Sequence, residues 1–154
     1  MEIEYDSSIT SFWKLLDFFF QIPFLPEAIL RNNDWELVEK MMKAGSKPGS
    51  FNAADLEQYR HAWWRKNAAT SMLNWYRAVI QKPPDLKGNL RIEVPTLILW
   101  GANDIALGRE MARPSLDLCD HGKLVFFEQS SHWVQHDESE TVNKYLLDFF
   151  STKA

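Results

Sequence analysis

Two short, uninterrupted apolar segments constrain the fold of this chain more than any other feature of its sequence. They occupy residues 96–100 (TLILW) and 123–128 (KLVFFE). Each run is shorter than an ordinary helix and carries β-branched or aromatic side chains, which is typical of strands buried on both faces of a parallel sheet. The stretch between them has room for a short helix, whose start Pro114 restricts. The pattern therefore predicts a strand–helix–strand unit of the α/β class.

The residues before this unit carry helical patterns. Residues 12–20 (FWKLLDFFF) are apolar on nearly every side, which predicts a helix that is covered from several directions. Asn52 is expected to cap a later helix. A further helix should end before Pro83 and Pro84, which disfavour its continuation. We therefore expect residues 1–82 to be all-helical.

Two of these helices have apolar faces that the spacing of their residues defines. The first is expected to begin at a cap formed by Asn33 or Asp34. Its inward-facing residues are expected to be Leu37, Val38, Met41 and Met42. The apolar residues at helical spacing in the last helix before the prolines are Met72, Trp75 or Tyr76, and Val79 or Ile80.

A closing helix is predicted over residues 140–150, where Val142 and Leu146 share an apolar face. Asp137, followed three residues later by Glu140, resembles a capping box at its start. The 154 residues, 45% of them hydrophobic, are enough for a sizeable core. Two parallel strands with so few helices nevertheless leave sheet edges and faces uncovered. The chain is therefore expected to form part of a larger sheet.

Charge and cysteine content exclude several classes of protein. The net charge is −4 and the basic residues are scattered, so no nucleic-acid partner is expected. The single cysteine, Cys119, excludes an internal disulfide framework and favours a reducing, cytoplasmic setting with a buried thiol. The acidic start of the sequence does not resemble a secretory signal. The apolar residues 18–26 are broken by prolines, so burial or cover by a partner is favoured over contact with a membrane surface.

Two polar residues follow the predicted strands at the same end. Asp104 comes four residues after Trp100, and His132 comes four after Glu128. Sites of α/β folds assemble in loops at the carboxyl ends of strands, and an acid followed by a histidine is the order of the last two members of a catalytic triad. From the residues alone, two other interpretations stay open. WGAND is also common turn chemistry, and His132 is equally an interfacial ring beside Trp133.

Several segments resemble α/β-hydrolase-fold enzymes. Residues 94–112 (VPTLILWGANDIALGREMA) and 130–150 (SSHWVQHDESETVNKYLLDFF) are similar to the C-terminal end of that fold. Within it, the similarity is greatest to the epoxide hydrolase branch. Residues 18–27 (FFFQIPFLPE) resemble the Phe-Gln-x-Pro segment at the start of the helical cap, and residues 73–79 (LNWYRAV) resemble the cap motif that carries a catalytic tyrosine. The resemblance covers roughly residues 11–150.

The resemblance implies a role for three residues. Asp104 becomes the acid of the triad and His132 its general base, while Tyr76 becomes the cap tyrosine that polarises the epoxide oxygen and donates a proton to it. In that family an aspartate attacks the epoxide carbon, and water activated by the histidine then hydrolyses the ester. Without the motif around it, Tyr76 is interpreted as a core aromatic residue.

The sequence departs from the family pattern in two places. Leu16 stands where the family has a second cap tyrosine, and Tyr5 lies too far upstream to replace it. None of the six glycines forms a nucleophile elbow of the G-x-S-x-G or G-x-D-x-G type, and the His-Gly segment near the oxyanion hole is also absent. We therefore expect the early strands and the nucleophile to lie N-terminal to residue 1, as in a truncated product, a fragment or one piece of a split enzyme.

These observations predict a two-part organisation and a function. Residues 1–90 are expected to form a helical cap segment and linker, and residues 91–154 the C-terminal strands and helices of an α/β-hydrolase core. The parent activity is expected to be epoxide hydrolysis, without cofactor or metal, on a small apolar substrate such as an epoxide or ester. The isolated chain is expected to be inactive, and to pair with a missing N-terminal half or with itself. The alternatives are a haloalkane dehalogenase or esterase of the same fold, or a non-catalytic remnant or interaction module.

Overall fold

A two-stranded parallel sheet lies in the C-terminal part of the chain. The computed structural model describes residues 16, 18–83, 88 and 90–151. Strand β1 comprises Thr96–Gly101 and strand β2 comprises Gly122–Phe127, and their register pairs Thr96 with Gly122 and Gly101 with Phe127. Both strands and their parallel direction are therefore confirmed.

Helices precede, connect and follow the two strands. Before β1, they are α1 (Leu25–Ala44), α2 (Ala53–Trp63) and α3 (Ala68–Gln81). Between the strands lie a 3-10 turn (Arg109–Met111) and α4 (Ala112–Asp117), and after β2 come α5 (Val134–Asp137) and α6 (Ser139–Ser151). Pro114 is tolerated because it lies in the first turn of α4, where its missing N–H has no helical partner to lose. No helix within the described ranges is long and apolar enough to cross a membrane.

The chain divides into two compact units. The first is formed by the described residues within Met1–Val38 and Leu56–Asp85, and the second by those within Glu39–Asp55 and Leu86–Ala154. The expected cap and core, divided at residue 90, are functional assignments and stay a prediction. Most of the helix expected over residues 12–20, and Tyr5, lie outside the described residues, although residues 18–20 are helical.

In the first unit, a break in α1 changes the expected packing. Backbone angles are non-helical from Asn32 to Trp35, with positive φ at Asn33, Asp34 and Trp35. Two helical segments therefore meet here, and the second begins after Trp35, close to the predicted start, whereas the cap at Asn33 or Asp34 stays a prediction. Trp35 is fully buried, and its ring lies 5.5 Å from that of Trp63.

The helical turns after the break bury only part of the face that was predicted. Met42 is buried, whereas Leu37 and Met41 are 42% and 50% exposed. The prediction is therefore confirmed for Met42 and wrong for Leu37 and Met41, because the structure covers only the side of the helix that carries Val38 and Met42. In α3 the buried residues are Ala69 and Leu73.

A largely shielded ion pair holds residues 20–23, here called the FQIP segment, against α3 in the first unit. Arg77 donates hydrogen bonds to Glu27 (2.7 Å) and to the carbonyl oxygens of Phe20 (2.7 Å) and Ile22 (3.1 Å). The side chains of Arg77 and Glu27 are only 14% and 11% exposed. The hydrogen bond from Arg77 is the main cause that lowers the pKa of the Glu27 carboxyl, outweighing the opposing effect of burial. The neighbouring Tyr76 packs its ring 5.1 Å from that of Phe20.

The start of α2 matches its sequence prediction. Asn52 Oδ1 accepts a hydrogen bond from the Asp55 amide, and Asp55 Oδ2 accepts one from the Asn52 amide, both at 2.9 Å. This reciprocal pair satisfies two of the backbone donors that a helix leaves unpaired at its start. Cys119, near the end of α4, is buried as expected.

The strands themselves are less covered than their composition predicts. The side chains of β1 are half-buried along its length, and only Gly101 at its end is buried. Among the described residues β1 and β2 form a sheet on their own. Two strands cannot cover both of their faces, which explains the difference from full burial.

Candidate active site

The loops that follow β1 and β2 bring Asp104 and His132 together. His132 Nδ1 lies 2.9 Å from Asp104 Oδ2, which is within hydrogen-bond reach. The side chain of Asp104 is only 8% exposed, whereas that of His132 is 38% exposed. A shielded carboxylate therefore contacts an imidazole that remains open on one side.

Asp104 also organises its own turn. Its Oδ1 accepts hydrogen bonds from the amides of Ala106 (2.8 Å) and Leu107 (3.0 Å). The turn-forming interpretation of this residue and the pairing with His132 are thus compatible, because each uses a different carboxylate oxygen. The two amide contacts hold the carboxylate in one orientation, with Oδ2 directed at the imidazole.

Gly101 permits the close approach of the second loop. A Cβ atom at this position would lie 1.9 Å from the carbonyl oxygen of Ser131, closer than any real side chain could come. Asn103 then ties the loops together, since its amide donates to the Ser130 carbonyl and its Nδ2 donates to the Glu128 carbonyl, both at 2.9 Å. The WGAND turn, residues 100–104, therefore fixes the position of the backbone that directly precedes His132.

Asp137 holds the same loop from its other side. Its Oδ2 accepts hydrogen bonds from the amide and the hydroxyl of Ser131, each at 2.6 Å. Its Oδ1 accepts hydrogen bonds from the hydroxyl of Ser50 and from the amide of Lys47. The predicted capping box with Glu140 is therefore wrong, because the carboxylate is engaged by distant parts of the chain.

The pKa of Asp137 reflects these contacts. Burial acts to raise the pKa of its carboxyl, but the hydrogen bonds from Ser131, Ser50 and Lys47 together outweigh that effect and lower it. The only sequence signal for this role was an acid five residues after His132. The donors at Ser50 and Lys47 lie almost ninety positions earlier, so their convergence was not readable from local spacing.

The contact with Asp104 distinguishes the two imidazole nitrogens of His132. A carboxylate accepts hydrogen bonds, so the Nδ1–H of His132 donates to Asp104. In the neutral ring, Nε2 then carries the lone pair and is able to take a proton. A carboxylate in this position also stabilises the imidazolium that results. The pair has the arrangement that general-base chemistry requires.

Tyr76 lies in the first compact unit, on α3, and its side chain is 46% exposed. Its assignment as a proton donor stays a prediction. Within the described part of the chain, no group of three or more histidine, cysteine, aspartate or glutamate residues is arranged to hold a metal ion.

Comparisons with known proteins identify the relatives of this chain. No family model matches it. It is 34% identical over 140 residues to the AB hydrolase superfamily protein YfhM of Bacillus subtilis, covering 88% of this chain and 47% of that protein. It is 30% identical over 139 residues to epoxide hydrolase 2 of Caenorhabditis elegans, covering 87% of this chain and 39% of that protein. The chain thus spans less than half the length of these curated relatives.

Solved structures agree with the sequence comparisons on the fold. The crystal structure of a Bacillus megaterium epoxide hydrolase in complex with an inhibitor superposes with a TM-score of 0.75 at 18% identity. That match covers 95% of this chain and 54% of the enzyme. The chain therefore belongs to the α/β-hydrolase superfamily, matches about half of the length of the solved enzyme, and is similar within the superfamily to the epoxide hydrolases.

Proposed function

We propose that this chain supplies the acid–histidine pair and the cap tyrosine of an epoxide hydrolase whose nucleophile lies outside these 154 residues. The observation that carries the proposal is the 2.9 Å contact between His132 Nδ1 and Asp104 Oδ2 at the carboxyl ends of two parallel strands. The similarity to epoxide hydrolases supports this choice of reaction.

The first chemical step opens the epoxide. An aspartate carboxylate attacks one epoxide carbon, the carbon–oxygen bond breaks, and the electron pair moves to the oxygen. Tyr76 donates its phenolic proton to that oxygen, which removes the developing negative charge. The product of the step is a hydroxyalkyl ester of the nucleophile.

The second step releases a diol. His132 Nε2 takes one proton from water while the water oxygen attacks the ester carbonyl, and the imidazolium then returns this proton to the departing alkoxide, which completes the diol. The second proton of the water restores the Tyr76 phenol. The nucleophile returns as a carboxylate. Asp104 stabilises the imidazolium during this step and keeps Nδ1 protonated.

The chain provides a firm support for Tyr76. The adjacent Arg77 is fixed by Glu27 and by two carbonyl oxygens of the FQIP segment. The Tyr76 ring also packs against Phe20. A donor held in this way loses little orientational freedom when it binds the epoxide oxygen.

The test uses a fusion protein in which this chain follows the part of C. elegans epoxide hydrolase 2 that the chain does not match. We expect the 154-residue chain alone to show no turnover of styrene oxide, and the fusion to hydrolyse it. His132→Ala in the fusion should abolish hydrolysis, and Asp104→Asn should reduce it strongly. An active fusion in which His132→Ala has no effect would disprove the assignment of the base.

Tyr76→Phe tests the substrate class in the same fusion. Ring opening should slow, because the alkoxide loses its proton donor, and the neighbouring Trp75→Phe is the matched control for an altered ring on the same helix. Hydrolysis of a haloalkane, whose leaving group needs no proton, should change little. Equal epoxide rates with Tyr or Phe at position 76 would instead favour a dehalogenase or esterase.

A further inference from the structure

Asp137 lies at the centre of a hydrogen-bond network that none of the roles described so far requires. Its carboxylate accepts four hydrogen bonds, two from Ser131 at 2.6 Å and one each from Ser50 and Lys47. The Ser131 hydroxyl accepts in turn from the Trp133 amide at 3.2 Å. The network thus surrounds the backbone on both sides of His132.

This network meets a second set of contacts on the opposite side of the same loop. Ser130 is fully buried and Ser131 is 9% exposed. Gly101, at the end of β1, packs closely against the backbone carbonyl groups of both residues. Asn103 holds the Ser130 carbonyl. The two residues before His132 are therefore fixed between the β1 loop and the Asp137 carboxylate.

The imidazole itself has few restraints of its own. Its side chain is 38% exposed, its hydrogen bond is to Asp104, and its ring meets that of Trp133 edge-on at 5.5 Å. The position of the His132 backbone therefore largely determines whether Nδ1 lies 2.9 Å from the Asp104 carboxylate.

We propose that Asp137 is a positioning residue for His132, acting through Ser131, and that Ser50 and Lys47 orient its carboxylate for this purpose. The inference rests on the proposed function for its catalytic consequence, since His132 is the base only in that reaction. Loss of the Asp137 carboxylate leaves the Ser131 amide and hydroxyl without their shared acceptor and releases the loop.

The experiment observes His132 directly by nuclear magnetic resonance of the 154-residue chain with 15N-labelled histidine. The chain has four histidines, so the His132→Gln variant assigns the signal. We expect the wild-type imidazole to show a downfield Nδ1–H resonance from its hydrogen bond to Asp104. Asp137→Asn should lose that resonance, and Ser131→Ala, which keeps every charge and removes only the hydroxyl, should weaken it.

Two control variants separate positioning from other effects. Glu138→Gln removes an equal charge next to Asp137, from a side chain that pairs with Lys47 Nζ at 2.7 Å. Val142→Ala removes buried methyl groups from α6 and lowers stability without touching the network. Both should retain the Nδ1–H resonance of His132.

The results that would overturn the proposal are distinct from a failure of the proposed function. If the resonance persists in Asp137→Asn, positioning by this network is rejected. If Asp137→Asn does not fold, persistence of the full resonance in Ser131→Ala rejects it instead. Absence of the resonance from the wild-type chain also rejects it. Equal loss in Val142→Ala assigns the effect to stability. In an active fusion, Asp137→Asn should lower kcat at least tenfold with little change in KM, because it removes part of the roughly 10²–10⁴-fold that a positioned base contributes. An inactive wild-type fusion with the expected resonances would reject the reaction and leave the positioning intact.

Discussion

Replacing Gly101 with alanine tests how the two site loops come together. The added Cβ would lie 1.9 Å from the Ser131 carbonyl oxygen and 2.8 Å from its carbonyl carbon. Both are backbone atoms, so neither can rotate away. The Ser131 backbone would have to retreat by about 1 Å, which carries the neighbouring His132 with it.

The size of the effect follows from this displacement. A retreat of about 1 Å takes the 2.9 Å contact between His132 and Asp104 beyond the roughly 3.5 Å at which such a hydrogen bond is lost. Forcing an extra methyl group into a packed site typically costs about 1–3 kcal/mol. With a urea dependence of about 2 kcal/mol per molar, the unfolding midpoint should fall by about 0.5–1.5 M.

Urea unfolding followed by tryptophan fluorescence measures the stability, and the His132 Nδ1–H resonance measures the site. Gly45→Ala is the matched control, because a Cβ there meets its neighbours at an ordinary 3.4 Å. We expect the control to unfold close to wild type and to keep the resonance. If Gly101→Ala unfolds at the wild-type midpoint with the resonance intact, the close approach of the loops does not require glycine.

Three further predictions concern stability. Asn52→Ala removes the cap of α2 and should cost about 1 kcal/mol, measured by urea unfolding, whereas Asn52→Ser should restore most of it. Arg77→Ala leaves Glu27 buried without its partner and should cost about 3–5 kcal/mol, while the double change to Arg77→Met and Glu27→Gln should recover part of the loss. Folding lowers the pKa values of Asp137 and Glu27, so the ionised carboxylates stabilise the folded state. This contribution to the free energy of unfolding is complete above the pKa values of the unfolded chain, about 4, and is lost as the pH falls through the pKa values of the folded chain. Thermal unfolding between pH 3 and 6 should show this slope, and Asp137→Asn should reduce it.

A wild-type slope in Asp137→Asn would assign acid unfolding to other carboxyls. If the Arg77→Met, Glu27→Gln double variant is as unstable as Arg77→Ala, the loss of stability does not come mainly from the unpaired charge of Glu27. An Asn52→Ser variant no more stable than the alanine variant would show that the side-chain oxygen contributes little.

The sequence by itself determined the elements whose signals are local. Residues 96–100 and 123–128 were predicted as strands because each is a short apolar run that carries β-branched or aromatic side chains, and both strands form. The cap at Asn52 follows from a side chain that reaches backbone groups three residues away. The pairing of Asp104 with His132 was also within reach, because parallel strands deliver the residues after their carboxyl ends to the same edge.

Only the tertiary structure decided features that join distant parts of the chain. Asp137 has the spacing of a helix cap, yet its partners Ser50 and Lys47 lie almost ninety residues before it, and no local pattern reports such an encounter. In α1 the structure buries Met42 and leaves Leu37 exposed, although the spacing of apolar residues placed both on the inward face. The physical reason is the same in both cases: a carboxylate or an apolar face takes whichever partner best satisfies it, and packing determines which partners come within reach.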